Sequence, residues 1–194
     1  DSCVETIIRQ VGNIGSMVAE FSNFARMPDP TLVIEDMGKL IAQIVDQERF
    51  AHKDITFTYD LPDTPLKVLC DPAQISQVLT NLIQNACDAI EEQKPQEGGF
   101  IKVYLEQESQ IYRIVIEDNG PGFPPEERDL LTEPYVTRKV KGTGLGLAIV
   151  KKIIEDHEGK LTLGDAPEGG AQVTIILPQR TINQANMGGE QNGK

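Results

Sequence analysis

The chain has 194 residues, which is enough for one medium-sized domain and a short additional segment. Apolar residues make up 39% of it, so a hydrophobic core is expected and global disorder is not. With 18 Lys and Arg against 30 Asp and Glu, the net charge is -12, which disfavours binding to nucleic acid or to anionic lipid.

The sequence also lacks the patterns that direct a chain into a membrane or through it. No apolar run approaches the roughly 20 residues of a membrane-spanning helix, and the first residues do not form a signal peptide. Cys3, Cys70 and Cys87 are odd in number and far apart, which favours neither a disulfide framework nor a zinc site. We therefore expect a soluble, cytoplasmic segment without membrane contact.

The first 27 residues carry apolar side chains at alternating steps of three and four. This heptad pattern predicts one long helix with a coiled-coil seam, although an amphipathic helix packed on its own domain would show the same spacing. Pro28 and Pro30 follow, and two prolines end a helix and extend the chain, so residues 28–34 are predicted to be a linker. The seam residues are Val4, Ile7, Val11, Ile14, Val18, Phe21 and Ala25.

Helical and strand-like patterns then follow one another between residues 35 and 178, which predicts a single α+β domain. Residues 118–142, rich in Gly, Pro and charge, are predicted to be a loop, and residues 179–194 a flexible polar tail. Helical patterns cover residues 35–50, 72–93 and 145–157. Strand patterns cover residues 55–59, 66–70, 101–106, 111–117, 161–163 and 173–177.

Three polar residues line up on the predicted helix 72–93. Asn81, Asn85 and Asp88 are spaced by four and three, so they share one face of the helix. Asparagine is a poor residue for a helix interior, and amide oxygens are suitable ligands for Mg²⁺. A solvated helix face explains the same stripe equally well.

Two glycine-containing segments are further candidates for ligand binding. The first runs from Asp118 to Gly122 and includes Gly120. Its ordinary interpretation is a turn. In the functional interpretation it forms a pocket wall, and Asp118 accepts a hydrogen bond from an amine of the ligand. Gly142-Thr143-Gly144-Leu145-Gly146-Leu147 opens the predicted helix 145–157, and exposed backbone N–H groups at a helix start bind phosphate. The strand of a dinucleotide-binding motif does not precede it, and no Walker A sequence is present.

In this order and spacing the three elements resemble the N, G1 and G2 boxes of the GHKL ATP-binding family, specifically those of sensor histidine kinases. Residues 131–139, LTEPYVTRK, resemble the F box, with Tyr135 where phenylalanine is commoner. The segments NACDAI and EPYVTRKVKGTGLGLAIV point to the nitrogen-regulation, NtrY-type branch. Residues 9–28 resemble the second helix of the dimerisation and phosphoacceptor domain.

The resemblance implies a two-layer sandwich, the Bergerat or GHKL fold, with helices on one face of a mixed sheet and one long helix before it. ATP is expected between the helix 72–93 and a lid over residues 123–141. Asn85 would hold Mg²⁺ with help from Asn81, and Asp118 would bind adenine. The remaining residues assigned to nucleotide binding by resemblance are Asp88, Gly120, Gly122, Tyr135, Thr137, Arg138, Lys139, Gly142, Thr143, Gly144, Leu145, Gly146 and Leu147.

The resemblance also bears on the reaction and on partners. Hydrolytic members carry a glutamate where Asn81 stands, and an amide cannot accept a proton from water, which favours transfer to a histidine over hydrolysis. The only histidines, His52 and His157, are expected to be structural or solvated, so the acceptor would belong to another helix. Implied partners are a second copy of the N-terminal helix and a response regulator, with the parent protein anchored in the inner membrane. A GHKL ATPase and a non-catalytic regulatory module are the alternatives.

Overall fold

A computed structural model describes residues 4, 11–12, 15, 18, 21–22, 24–137 and 143–180. Within the described residues, no helix is both long enough and apolar enough to cross a membrane. From Val33 to Arg180 these residues form three α-helices, Met37–Ala51 (α1), Pro72–Gln93 (α2) and Gly146–Asp156 (α3). The strands of the same region are Val33–Asp36 (β1), Ile55–Asp60 (β2), Lys67–Cys70 (β3), Gly99–Glu108 (β4), Ile111–Asp118 (β5), Lys160–Asp165 (β6) and Ala171–Pro178 (β7).

Five of the strands form one mixed sheet in the order β2-β4-β5-β7-β6. β2 pairs with β4 in parallel and the other neighbours are antiparallel, while β1 and β3 form a separate antiparallel pair. The three helices pack against one face of the sheet, whose inward side chains include Ile101, Val103, Ile114, Ile116, Val173 and Ile175. This arrangement confirms the predicted α+β sandwich with helices on one face of a mixed sheet.

Helix α2 begins where the sequence predicts, because its first residues satisfy the free N–H groups of a helix start. The Asp71 side chain accepts hydrogen bonds from the N–H groups of Ala73 (3.0 Å) and Gln74 (3.1 Å), and Pro72 occupies the first helical position. The apolar side of the helix packs against the sheet, with Ile75, Val78, Leu79, Leu82 and Ile83 at most 3% exposed. Capping and burial together fix α2, which carries the predicted polar stripe.

The region before α1 differs from the prediction. A helix was expected from residue 35, but residues Val33–Asp36 form β1, which pairs with β3 in the register Val33 with Cys70. Helix α1 starts only at Met37, because Asp36 is its N-cap residue and accepts a hydrogen bond from the Lys39 N–H. The partner strand lies more than 30 residues further along the chain, so a local pattern does not reveal this pairing.

Both ends of the domain are attached to it by specific contacts. The Pro28 carbonyl accepts a hydrogen bond from the Gln74 amide, and the Thr31 N–H donates to Asp71 Oδ2 at 2.8 Å, so part of the predicted linker follows the start of α2. At the other end, the Gln179 N–H donates to the Gln110 carbonyl, and Arg180 forms an ion pair with Glu158. The rest of the predicted tail, residues 181–194, lies outside the described residues.

The N-terminal segment is described only in part. Its described residues between Val4 and Ala25 have helical backbone, and Phe24 and Met27 pack against the hydrophobic core of the domain. Val4, Val11 and Val18, seven residues apart, are 60–64% exposed. The seam positions Ile7 and Ile14 lie outside the described residues, as does Cys3, so pairing with a second copy stays a prediction.

Candidate nucleotide-binding site

A cavity of about 1050 Å³ lies where α2, α3, the end of β5 and the start of β7 meet the segments 121–137 and 143–144. This volume is slightly above the range of about 300–1,000 Å³ that is usual for small-molecule pockets. Ten of the predicted site residues line the cavity: Asn81, Asn85, Asp88, Asp118, Gly122, Thr137, Thr143, Gly144, Gly146 and Leu147. The fold therefore brings three separate sequence motifs to one place.

Helix α2 supplies the polar wall of the cavity. Asn81 and Asn85 are half-buried, whereas Asp88 is exposed at the same surface. Leu82, Ala86 and Ala89 also line the cavity, so one side of α2 presents amide groups beside apolar surface. A flat apolar base and a hydrated metal could both be accommodated against such a wall.

Asp118, the last residue of β5, is 5% exposed and is held by two backbone groups. The N–H groups of Gly120 and Ala171 donate to its Oδ1 at 2.8 and 3.3 Å. Burial raises the pKa of the Asp118 carboxyl above its ordinary value of 3.8, and the two donors offset that shift only in part. A buried, oriented carboxylate of this kind is a strong acceptor for an amine donor of a ligand.

The start of α3 faces α2 across the cavity. A Cβ placed on Gly146, the first residue of α3, would lie 3.8 Å from the Asn85 amide nitrogen, so backbone and amide are close together there. Gly144 has a φ of +70°, and its carbonyl accepts a hydrogen bond from the Tyr135 N–H at 3.0 Å. The free N–H groups and the positive end of the helix dipole make this end of the cavity suitable for phosphate.

The lid segment, predicted over residues 123–141, is described as far as Thr137. Its apolar side chains Phe123, Leu131 and Val136 line the cavity together with Pro124 and Pro125. These residues cover the space next to Asp118 and the start of α3 with apolar surface. A ligand in the cavity would therefore be partly shielded from water.

Three predicted site residues are placed away from the cavity surface. Leu145 is fully buried in the core, and Gly120 is buried beside Ala89, where it donates to Asp118. Tyr135 is 53% exposed, with its ring 6.2 Å from the ring of Phe21 in the N-terminal segment. Arg138, Lys139 and Gly142, also predicted to bind nucleotide, lie outside the described residues.

The cavity includes residues that the motif analysis missed. Gln77 and Glu92 line it and continue the stripe of Asn81 and Asp88 by one helical turn in each direction, so the same spacing could have found them. Ala171 and Val173 also line it. They lie on β7, and only the pairing of β7 with β5 brings them next to Asp118, which no local pattern indicates.

Neither histidine lines the cavity. His157 is 3% exposed at the end of α3, where its Nδ1 contacts the Ile153 carbonyl at 2.7 Å and its Nε2 accepts a hydrogen bond from the Asp71 N–H at 3.0 Å. His52 ends α1 and lies 3.3 Å from a carboxylate oxygen of Glu91. Both histidines thus make local polar contacts away from the cavity, and a structural or solvated role for each stays a prediction.

The fold and the cavity together define a nucleotide-binding domain of the two-layer α/β class, with an amide-bearing helix opposite a glycine-rich helix start. The chain belongs to the family of histidine kinase-, DNA gyrase B- and HSP90-like ATPases, whose sequence model matches residues 70–181. It is therefore an ATP-binding domain.

Several proteins that are similar to this chain are sensor histidine kinases. The nitrogen regulation protein NtrY of Azorhizobium caulinodans is 47% identical over 180 residues, which cover 91% of this chain and 23% of that protein. The solved structure of a mycobacterial sensor histidine kinase, MprB, is 32% identical with a TM-score of 0.66, covering 78% of this chain and all of that one. The structure of full-length ShkA in complex with AMPPNP is 26% identical with a TM-score of 0.72, covering 91% of this chain and 38% of that one.

These matches confirm the resemblance to sensor histidine kinases of the NtrY type and identify the domain as the catalytic, ATP-binding part of such an enzyme. The chain spans less than a third of the length of the NtrY relatives that it matches.

Proposed function

We propose that the domain binds Mg-ATP in the cavity and transfers the γ-phosphoryl group to a histidine on a helix outside these 194 residues. The observation that carries this proposal is the meeting of Asn85, Asp118 and the start of α3 at one cavity. Each of the three matches a different part of the ligand, namely metal, base and phosphates.

Adenine is assigned to the Asp118 end of the cavity. The carboxylate can accept a hydrogen bond from the 6-amino group, and the apolar side chains of Leu131, Val136 and Val173 can pack against the faces of the ring. The triphosphate then extends toward Gly144 and Gly146 at the start of α3. Arg138, Lys139 and Gly142 are proposed to complete the phosphate site.

Mg²⁺ is assigned to Asn85 with help from Asn81. Both amide groups line the cavity, and the described residues contain no cluster of three or more His, Cys, Asp or Glu that could hold a metal alone. This donor set fits Mg²⁺, which is usually held by one or two protein oxygens together with phosphate and water. When bound, the ion would neutralise charge on the phosphates.

Transfer rather than hydrolysis is proposed because Asn81 cannot act as a base toward water. In transfer, an imidazole nitrogen forms a bond to the γ-phosphorus while the bridging P–O bond breaks, ADP leaves with the electron pair, and the ring proton passes to solvent. The domain contributes position and charge neutralisation to this step. A response regulator would then take the phosphoryl group from the histidine.

The first experiment is calorimetric titration of the chain with Mg-ATP beside Asp118→Ala. We expect one site per chain in the unmodified protein and a loss of affinity of between about tenfold and a hundredfold in the variant, which loses a hydrogen bond to a charged acceptor. An Asp118→Ala variant that is folded and binds ATP as tightly as the parent would overturn the assignment of the base.

A second experiment separates the possible reactions. The chain is mixed with a separately made phosphoacceptor helix pair and γ-labelled Mg-ATP, and acid-labile label on the acceptor is measured together with free phosphate. Label on the acceptor supports transfer, whereas repeated release of phosphate without acceptor would favour a GHKL ATPase. Binding without either product would favour a regulatory module.

The assembly of the intact protein is also proposed. The exposed valines at seven-residue spacing in the N-terminal segment support pairing with a second copy. We infer that the intact kinase is a homodimer anchored in the inner membrane, with this domain on the cytoplasmic side.

A further inference from the structure

The turn between β6 and β7 contains two adjacent glycines with nearly the same φ but different surroundings. Gly169 and Gly170 have φ values of +94° and +98°, which disfavour any residue with a side chain. A Cβ added to Gly169 meets nothing within 4 Å. A Cβ added to Gly170 would lie 1.9 Å from the carbonyl oxygen of Asp118 and 2.8 Å from the Cα of Asn119.

This close approach places the start of β7 against the end of β5. It lets the Ala171 N–H reach Asp118 Oδ1 from one side, while the Gly120 N–H reaches the same oxygen from the other. Because both donors bind Oδ1, the other carboxylate oxygen, Oδ2, is assigned to the ligand. The orientation of Asp118 therefore depends on how closely the turn approaches it.

We propose that Gly170 is a positioning residue for adenine recognition: its lack of a side chain lets the β6–β7 turn hold Asp118 in the orientation that binds the 6-amino group. The proposal rests on the assignment of adenine to Asp118 made above. It adds the turn, which does not belong to the three motifs, as a determinant of base specificity.

The size of the expected displacement follows from the contact distance. Nonbonded Cβ and oxygen atoms do not approach within about 3 Å, so a methyl group at Gly170 would separate the turn from Asp118 by about 1 Å. The Ala171 hydrogen bond, already 3.3 Å long, would not survive this shift. The contact to the amine would then be lost, while contacts to the phosphates at the start of α3 would remain.

The test compares two nucleotides in two variants. ATP and purine riboside triphosphate, which has hydrogen in place of the 6-amino group, are titrated with Mg²⁺ into the parent chain, Gly170→Ala and Gly169→Ala. The Gly169 variant is the matched control, because it also places a side chain at a positive φ but makes no contact with Asp118. Circular dichroism and thermal unfolding establish that each variant is folded.

We expect the parent to bind ATP between about tenfold and a hundredfold more tightly than the analogue. Gly170→Ala should bind ATP no more tightly than the analogue, with affinity for the analogue unchanged, and Gly169→Ala should keep the preference of the parent. A purely structural role would lower the affinity for both nucleotides together, so equal losses in Gly170→Ala overturn the proposal. Retention of the full ATP preference overturns it as well.

Failure of this inference is distinguishable from failure of the proposed function. If Asp118→Ala loses the preference for ATP but Gly170→Ala keeps it, the adenine assignment stands and the role of the turn is wrong. A parent chain without any preference for ATP overturns both. Should Gly170→Ala fail to fold, Ala171→Pro removes the N–H donor without adding a Cβ at position 170, and the same fall in preference is required.

Discussion

Among single residues, Asp118 has a charge that lowers the stability of the nucleotide-free domain but favours binding of the ligand. Its carboxyl is buried at the end of β5, and burial raises its pKa above the ordinary value. In the unliganded domain a raised pKa means that the charged form is disfavoured, so the contribution of this group to stability is largest at low pH and falls as the pH rises through the raised pKa. The charged form of Asp118 is therefore costly in the nucleotide-free domain, at the place where a ligand amine is expected.

Asp118→Asn should separate these two effects. The Asn side-chain oxygen can still accept from the Gly120 and Ala171 N–H groups, but the buried charge is removed. We expect the Tm of the nucleotide-free domain at pH 7 to rise by a few degrees, since 1 kcal/mol moves the Tm of a domain of this size by about 2–4 °C. ATP affinity should fall, because an amide donor would face the amine. A folded variant with a lower Tm would contradict the predicted cost of the charge.

The pH dependence of ATP binding gives an independent check. The carboxyl must lose its proton before it can accept from adenine, so affinity should fall as the pH decreases through the raised pKa of Asp118. The midpoint should lie above 3.8, where an unperturbed Asp titrates. Titrations across this range are compared with Asp118→Asn, which should lack the transition. The same acid transition in both proteins would assign it to another group.

At the scale of elements, the start of α2 is held mainly by Asp71. Burial alone would raise the pKa of this carboxyl, but the N–H groups of Thr31, Gln74 and Ala73 outweigh that effect and hold it below the ordinary value. A lowered pKa means that the stabilising contribution is present above the ordinary range and is lost as the pH falls through the lowered value. One carboxylate therefore caps α2 and fixes the segment before β1.

Asp71→Ala should lower the free energy of unfolding by about 0.5–2 kcal/mol, the usual cost of losing an N-cap residue. Asp71→Asn is the control, since asparagine caps a helix about as well as aspartate does, and its loss should be smaller. Urea denaturation at pH 7 measures both. Equal losses in the two variants would assign the effect to the charge of Asp71 and its bond to Thr31 instead of its capping bonds.

How far the sequence predicts an element depends on whether its causes are local. Helix α2 is predicted to the residue, because a capping Asp, a first-turn Pro and an apolar periodicity all lie within it. Strand β1 is missed, because its pairing partner β3 is distant in sequence. The same distinction between local and distant causes applies to the cavity. The stripe of Asn81 and Asn85 and the residue Asp118 are visible as sequence motifs, whereas Ala171 reaches the cavity only through the pairing of β7 with β5.

At the scale of the whole molecule, one aromatic contact joins the N-terminal segment to the lid. The rings of Phe21 and Tyr135 are 6.2 Å apart at an interplanar angle of 31°. Tyr135 has a φ of +69°, and its N–H donates to Gly144 next to the start of α3. The position of the N-terminal segment is thereby connected to the predicted phosphate end of the cavity.

A double-mutant cycle with Phe21→Ala and Tyr135→Ala should measure this connection. We expect a coupling energy of about 0.5–1.5 kcal/mol in urea unfolding, which is typical of aromatic pairs. Additive losses would mean that the two rings do not stabilise each other. If the coupling increases when Mg-ATP is present, the nucleotide and the N-terminal segment act on the same part of the lid.

The His157 contact has a mechanical consequence. It joins the last turn of α3 to the residue before α2, whereas the cavity is lined by the first residues of α3 and by α2 from Gln77 to Gln93. Helix α3 has 11 residues and is about 16 Å long, so a rotation of about 10° about His157 would move Gly146 by about 3 Å. Such a rotation would also have to displace Leu145, Ala148 and Val150, which are buried, so the His157 contact and the packing of α3 together hold the phosphate end in place.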